Sequence, residues 1–197
     1  MSNKSGAGRT RRDNFKEVFD IFCRAARPLH IPNAPSERRG KNDDRDKCLG
    51  IAGRYEDPLW KEMLQGTSLN AVREGYPSGK RNDFTLLLPW GKIFNEVKGY
   101  AVPKGKRKRV SDDASKLLEE PPPCAYGLFV LALSALDEPQ TDEWVEKAVD
   151  VAQVKWWDFE FKETIADEGL GWFSGQRLGC VRLYWYVKDA DQGRPSG

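Results

Sequence analysis

One histidine, His30, and four scattered cysteines, Cys23, Cys48, Cys124 and Cys180, are all the soft metal ligands this sequence holds, and no two of the cysteines form a CxxC pair. Zinc needs such ligands clustered, so a zinc site is excluded as an expectation. A Cys–His nucleophile would have to draw on His30 in RPLHIP, where nothing orients it. The cysteines read as reduced, mostly buried thiols. No apolar run reaches membrane-spanning length, and the longest, Ala125–Leu136, falls well short. The N-terminal MSNKSGAGRTRRDN carries charge without an apolar signal core. No Gly-rich loop follows a predicted strand, which removes the usual phosphate cradle of nucleotide-binding folds. Charge of one sign is lacking too: Lys+Arg number 32 against 30 Asp+Glu. Only the distribution of charge, not its total, can point to a polyanionic partner. The expectation is a soluble, cytoplasmic protein.

What the sequence does have is the composition of a folded domain. Hydrophobic residues make up 39%, with seven Trp and nine Phe, enough for a real core in one unit. The expected organisation is a flexible basic tail over 1–12, a single domain over 13–188 and a flexible tail over 189–197. Apolar spacing from Asp13 to Arg27 predicts an amphipathic helix stopped at Pro28. Residues 57–66, with Asp57 as N-cap, Pro58 at the first helical position and Gly66 as stop, predict a short helix. Asn70–Tyr76 fits either a strand or a short helix. Phe84–Leu88 and Lys92–Lys98 predict two strands around a Pro89-Trp90-Gly91 turn. Residues 99–110 read as a basic loop, and Ser111–Glu119 as a helix capped by Ser111. Ala125–Ala135 is apolar throughout, as a strand covered on both faces should be. A helix over Thr141–Asp150 and strands over Val154–Lys162 and Leu178–Val187 follow. This order predicts an α/β fold, with a central mixed β-sheet flanked by helices rather than a doubly wound parallel one.

The chemistry lies in Arg81–Tyr100. On a strand, Glu96 and Lys98 share one face and Val97 takes the other. Chance alone supplies Glu-x-Lys triplets in a chain this rich in both, and Glu160-Phe161-Lys162 is a second. Asp83 distinguishes the first. If the turn sets Leu88 opposite Gly91, Asp83 lies across from Glu96; a slip of one residue puts it opposite Val97 and dissolves the pair. Two carboxylates at a sheet end make an oxygen-ligand site for Mg²⁺ or Mn²⁺, with the Val97 carbonyl as a further ligand. Lys98 would then stand beside the metal and a substrate phosphate, where it orients the attacking water and neutralises developing charge.

The run Asn82–Leu88, the turn, and Ile93–Gly99 resemble the PD-(D/E)xK nuclease superfamily. SDDASKLLEEPPPCAYGLFVLAL resembles that family's helix and following core strand. The resemblance covers about residues 70–135 and leaves Trp144–Val187 unmatched. It implies a restriction-endonuclease-like core, Asp83 and Glu96 as metal ligands and Lys98 as the catalytic lysine. It also implies an additional upstream acid, for which Glu74 is the candidate and Glu17 the second choice. Asn82 stands where the motif has proline, a structural position often changed. The implied function is a metal-dependent nuclease, on DNA ahead of RNA. The alternatives are a catalytically silent nuclease-like domain that binds nucleic acid or protein, and a non-enzymatic nuclear or viral accessory protein.

The cluster Lys104, Lys106, Arg107, Lys108 and Arg109 reads as a phosphate-backbone grip beside the site, as a nuclear import signal, or as a solvated loop. Trp157, Phe159 and Phe161 read as a core stripe before a base-stacking one. Nucleic acid is the expected partner, with a homodimer left open and no membrane.

Overall fold

The computed structural model describes residues 10–27, 69–72, 76, 78–80, 82–103, 107–118, 125–150, 157–166, 172–173 and 176–189. The helix expected over 57–66 lies outside the described residues.

The first helix, α1 (Arg11–Ala26), begins two residues before the expected Asp13. Thr10 caps it: the Thr10 hydroxyl accepts from the Asp13 N–H (3.2 Å), and the Asp13 carboxylate accepts from the Thr10 N–H (3.0 Å). Such a reciprocal box satisfies donors that the first turn leaves open. Phe15, Val18, Phe19, Phe22, Cys23 and Ala26 form its buried stripe, the period of an amphipathic helix.

Three strands follow: β1 (Asn70–Val72), β2 (Phe84–Leu88) and β3 (Gly91–Val102). Then come α2 (Arg107–Leu118), β4 (Ala125–Ser134) and α3 (Glu138–Asp150). Beyond these lie β5 (Phe159–Ala166), the short pair β6 (Trp172–Phe173) and β7 (Gln176–Arg177), and β8 (Cys180–Lys188). The main sheet has the strand order β1-β2-β3-β4-β8-β5, while β6 and β7 pair only with each other. β3 and β4 run parallel, joined through α2; every other pairing is antiparallel. The expected mixed sheet flanked by helices is therefore present.

Alternation along the strands sorts side chains between two cores. Ile93, Val97, Phe129, Leu131 and Trp185 face α1, and Phe94, Tyr100, Leu128, Val130 and Tyr184 face α2 and α3. All ten residues of β4 are buried, which is why its sequence shows no polar alternation. On the α1 side, Phe22 meets Phe129 with ring centroids 4.3 Å apart, and Phe129 stacks on Trp185 at 5.0 Å. Among the described residues no helix is long and apolar enough to cross a membrane.

Several boundaries differ from expectation. Asn70–Val72 resolves as a strand. β3 runs on to Val102, pairing Gly99–Val102 with Leu131–Ser134, so residues 99–102 are sheet rather than basic loop. α2 opens at Arg107, because Val110 is needed with Ala114 and Leu117 to complete its buried stripe. Ser111 is therefore an interior, buried residue and not a cap. α3 opens at Glu138, three residues early: the Asp137 carboxylate accepts from the Gln140 N–H (2.9 Å), and Pro139 sits in the first turn, where its missing N–H costs nothing. β5 starts only at Phe159, so the expected aromatic stripe is divided. Phe159 and Phe161 enter the α1-side core, and Trp157 packs on the other. The expected tails are partly structured: Arg11 lies in α1, and the buried Asp189 accepts from Arg11 Nε (2.6 Å) and Nη2 (2.7 Å).

Candidate functional site

The β2–β3 hairpin fixes the site. Its ladder runs Leu88↔Gly91, Leu87↔Lys92, Leu86↔Ile93, Thr85↔Phe94 and Phe84↔Asn95, the register that the sequence reading required. A two-residue Pro89-Trp90 turn makes this possible, with Gly91 at φ 146°, a conformation L side chains rarely adopt. Trp90 packs edge-on against Phe15 of α1, centroids 4.9 Å apart, and anchors the turn.

Asp83 is one step beyond this ladder, where the chain bends. It is not paired residue-to-residue with Glu96. Its N–H donates to the Asn95 carbonyl (3.1 Å), and its carboxylate Oδ2 accepts from the Val97 N–H (2.7 Å). The Asp83 carboxylate is thus held on the β3 backbone between Glu96 and Lys98, near enough to oppose the ionisation of Glu96. An extended residue turns its N–H and C=O to the same edge, so the Val97 carbonyl stands on that edge as well.

Glu96 and Lys98 lie on the α2 side of β3, as alternation requires. Glu96 is 5% exposed. Its Oε1 accepts from the Tyr76 hydroxyl (2.7 Å) and from Lys116 Nζ, a close ion pair. Burial pushes the Glu96 carboxyl up to about 6; the bonds from Lys116 and Tyr76 pull the other way, and Asp83 adds to the rise. Lys98 Nζ pairs with Asp113 Oδ2 at 2.6 Å.

Tyr76, Asp113 and Lys116 belong to the site and were not read from the sequence. Asp113 and Lys116 are three apart on α2 and so share a face, but that SDDASK turns this face to Glu96 and Lys98 is a matter of helix-on-sheet packing. Tyr76 is presented by a tight turn in which its N–H donates to the Lys80 carbonyl (2.8 Å) and its carbonyl accepts from the Gly79 N–H (2.8 Å).

Of the other expected residues, Glu74 lies outside the described residues. Glu17 is on the exposed side of α1, across the sheet from Glu96. Lys104 and Lys106 lie outside the described residues. Arg107, Lys108 and Arg109 form the first turn of α2, some four to nine residues before Asp113 and Lys116, hence roughly 6–14 Å along the axis. The second triplet is tied into another network: Lys162 Nζ pairs with Asp142 (2.9 Å) and Glu146 (3.6 Å) of α3.

Among the described residues no three His, Cys, Asp or Glu side chains gather as a metal cluster. The oxygens at the site that could hold a cation are the carboxylates of Asp83 and Glu96 and, from strand geometry, the Val97 carbonyl. These are hard oxygen donors. They fit Mg²⁺, which keeps several waters and takes one or two carboxylates plus substrate phosphates rather than a full protein cage. They do not fit a soft or borderline metal. Comparison of the chain with protein-family models, with curated proteins and with solved structures found no match.

Proposed function

We propose that this protein is a metal-dependent nuclease of the PD-(D/E)xK type, with a restriction-endonuclease-like core, acting on DNA ahead of RNA. The observation that carries the reading is the hairpin register: it brings the Asp83 carboxylate onto the backbone of the strand that bears Glu96 and Lys98 on one face. The element order α1-β1-β2-β3-α2-β4, with β3 and β4 parallel, supports the same reading.

In this reading Asp83, Glu96 and the Val97 carbonyl would hold Mg²⁺ or Mn²⁺. Such an ion, when bound, would supply Lewis-acid polarisation of a scissile phosphate and a more acidic water. Lys98 offers an ammonium within reach of a phosphate oxygen or of the attacking water. Glu96, with its carboxyl near 6, changes charge close to neutrality. Arg107–Arg109 open α2, and in this reading the phosphate backbone is their partner.

The test is incubation of the purified protein with plasmid DNA, linear DNA and RNA in Mg²⁺, Mn²⁺ or EDTA. Metal-dependent cleavage is expected, and Asp83→Ala or Lys98→Ala should lower it by about 10²–10⁴-fold. Cleavage that ignores both substitutions would sink the assignment. The engagement of Glu96 by Lys116 and of Lys98 by Asp113 favours a second reading, a silent domain that binds nucleic acid. Its signature is DNA retention in gel-shift assays without cleavage in any metal.

A further inference from the structure

The two ion pairs between β3 and α2 have opposite polarity. Glu96 of the strand takes Lys116 of the helix, and Lys98 of the strand takes Asp113. Every charge that the nuclease reading assigns to β3 thus has its counter-charge on one face of α2. The partners of the first pair differ in burial. The Glu96 side chain is 7% exposed, whereas Lys116 is 32% exposed. Lys116 reaches Glu96 from the open side on a flexible four-carbon stem and lies over the Tyr76 ring, 5.3 Å from its centroid. Its partial exposure gives it a path toward solvent that the buried Glu96 lacks.

A buried carboxylate needs a compensating positive charge. Lys116 supplies it at Glu96 Oε1, one of the atoms from which a divalent cation would be held. Both charges cannot be accommodated there in full.

We propose, resting on the nuclease reading, that Lys116 is a positioning residue that competes with the divalent cation for Glu96, keeping the carboxylate neutralised and oriented until cation and substrate arrive together. Once displaced, its ammonium lies on the same face as Lys98, where the phosphate of a nucleic acid strand is the fitting acceptor. Substrate phosphate thereby favours cation binding by accepting the displaced lysine. Asp113 does the reciprocal task, holding the Lys98 ammonium until a phosphate replaces the carboxylate.

The experiment is Mn²⁺ binding to the full chain by titration calorimetry, without and with a short non-cleavable phosphorothioate oligonucleotide. Lys116→Met should bind Mn²⁺ roughly tenfold more tightly than the unsubstituted protein in the absence of oligonucleotide. It should also lose most of the gain that the oligonucleotide gives the unsubstituted protein. Lys116→Arg, which keeps the charge, should resemble the unsubstituted protein. If Lys116→Met does not fold by circular dichroism, Lys116→Gln serves in its place. Mn²⁺ binding that needs Asp83 and Glu96 but is unchanged or weaker in Lys116→Met (or in Lys116→Gln where that replaces it) overturns the competition alone. Binding absent from every variant, or indifferent to Asp83→Ala and Glu96→Gln, overturns the nuclease reading and the competition with it.

Discussion

Glu96 is a carboxylate held where its charge is unwelcome, and the consequence is a measurable pH dependence. Burial raises it from an ordinary 4.5 to about 6. A carboxyl raised in the folded state binds its proton more tightly there than in the unfolded chain. Its contribution to stability is fully present below pH 4.5 and is lost as the pH rises through about 6. Glu96→Gln, which stays neutral, should remove that loss. In metal-free urea titrations from pH 4 to 8, the unsubstituted protein should lose on the order of 1–2 kcal/mol relative to the variant across this window. Parallel curves would mean that Lys116 and Tyr76 fully offset the burial. The candidacy of Glu96 was legible from strand alternation together with Asp83 on the neighbouring strand. Its protonation was not, because both Tyr76 and Lys116 reach it from elsewhere in the chain.

At the scale of elements, the central strand β4 is the most constrained. Gly127 of β4 pairs with Asn95 of β3, and a Cβ there would stand 2.1 Å from Asn95 Oδ1 and 2.3 Å from Trp185 Nε1. The glycine leaves the space through which Trp185 donates to Asn95 (3.2 Å) across the strand between them. Gly127→Ala should break that bond in a buried setting and force the rings around Trp185 to shift. A loss of about 2–4 kcal/mol is expected in denaturant titrations. An unchanged midpoint would show that Asn95 and Trp185 yield without cost. The elements themselves were largely readable: β2 matched its apolar run residue for residue, and α1 its 3.6-residue period. Their ends were less so. β3 continues to Val102 because β4 offers it partners as far as Ser134. α2 begins at Arg107 because Val110 packs in the second core. Both extensions are set by neighbours, not by local propensity.

For the whole molecule, the ends of the described chain are clasped together. Arg11 of α1 gives a two-bond fork to Asp189, whose side chain is 0% exposed, while the Asp189 N–H donates to Asp158 (2.8 Å). Removing the guanidinium takes two charge-assisted hydrogen bonds from a buried carboxylate. Arg11→Met should therefore cost about 2–3 kcal/mol, below the range for a fully buried pair because Arg11 is 31% exposed. A fall in the urea midpoint checks this, and no change would assign the pair to the surface class. Nothing in the terminal sequences announces the clasp, since Arg11 and Asp189 both sit in polar runs that read as tails.

The sequence by itself determined the α/β class, the hairpin, and the face shared by Glu96 and Lys98, and it left the hairpin register as a condition that the structure met. These follow from alternation, turn length and apolar runs, which are local and periodic. Only the tertiary structure decided that Asp83 caps the Val97 amide beyond the end of the ladder, that Tyr76 and Lys116 meet on Glu96, and that Asp113 takes Lys98. Those contacts depend on how α2 lies on the sheet and how the 76–80 turn folds back. Packing between distant segments sets both, and no pattern within one segment encodes it.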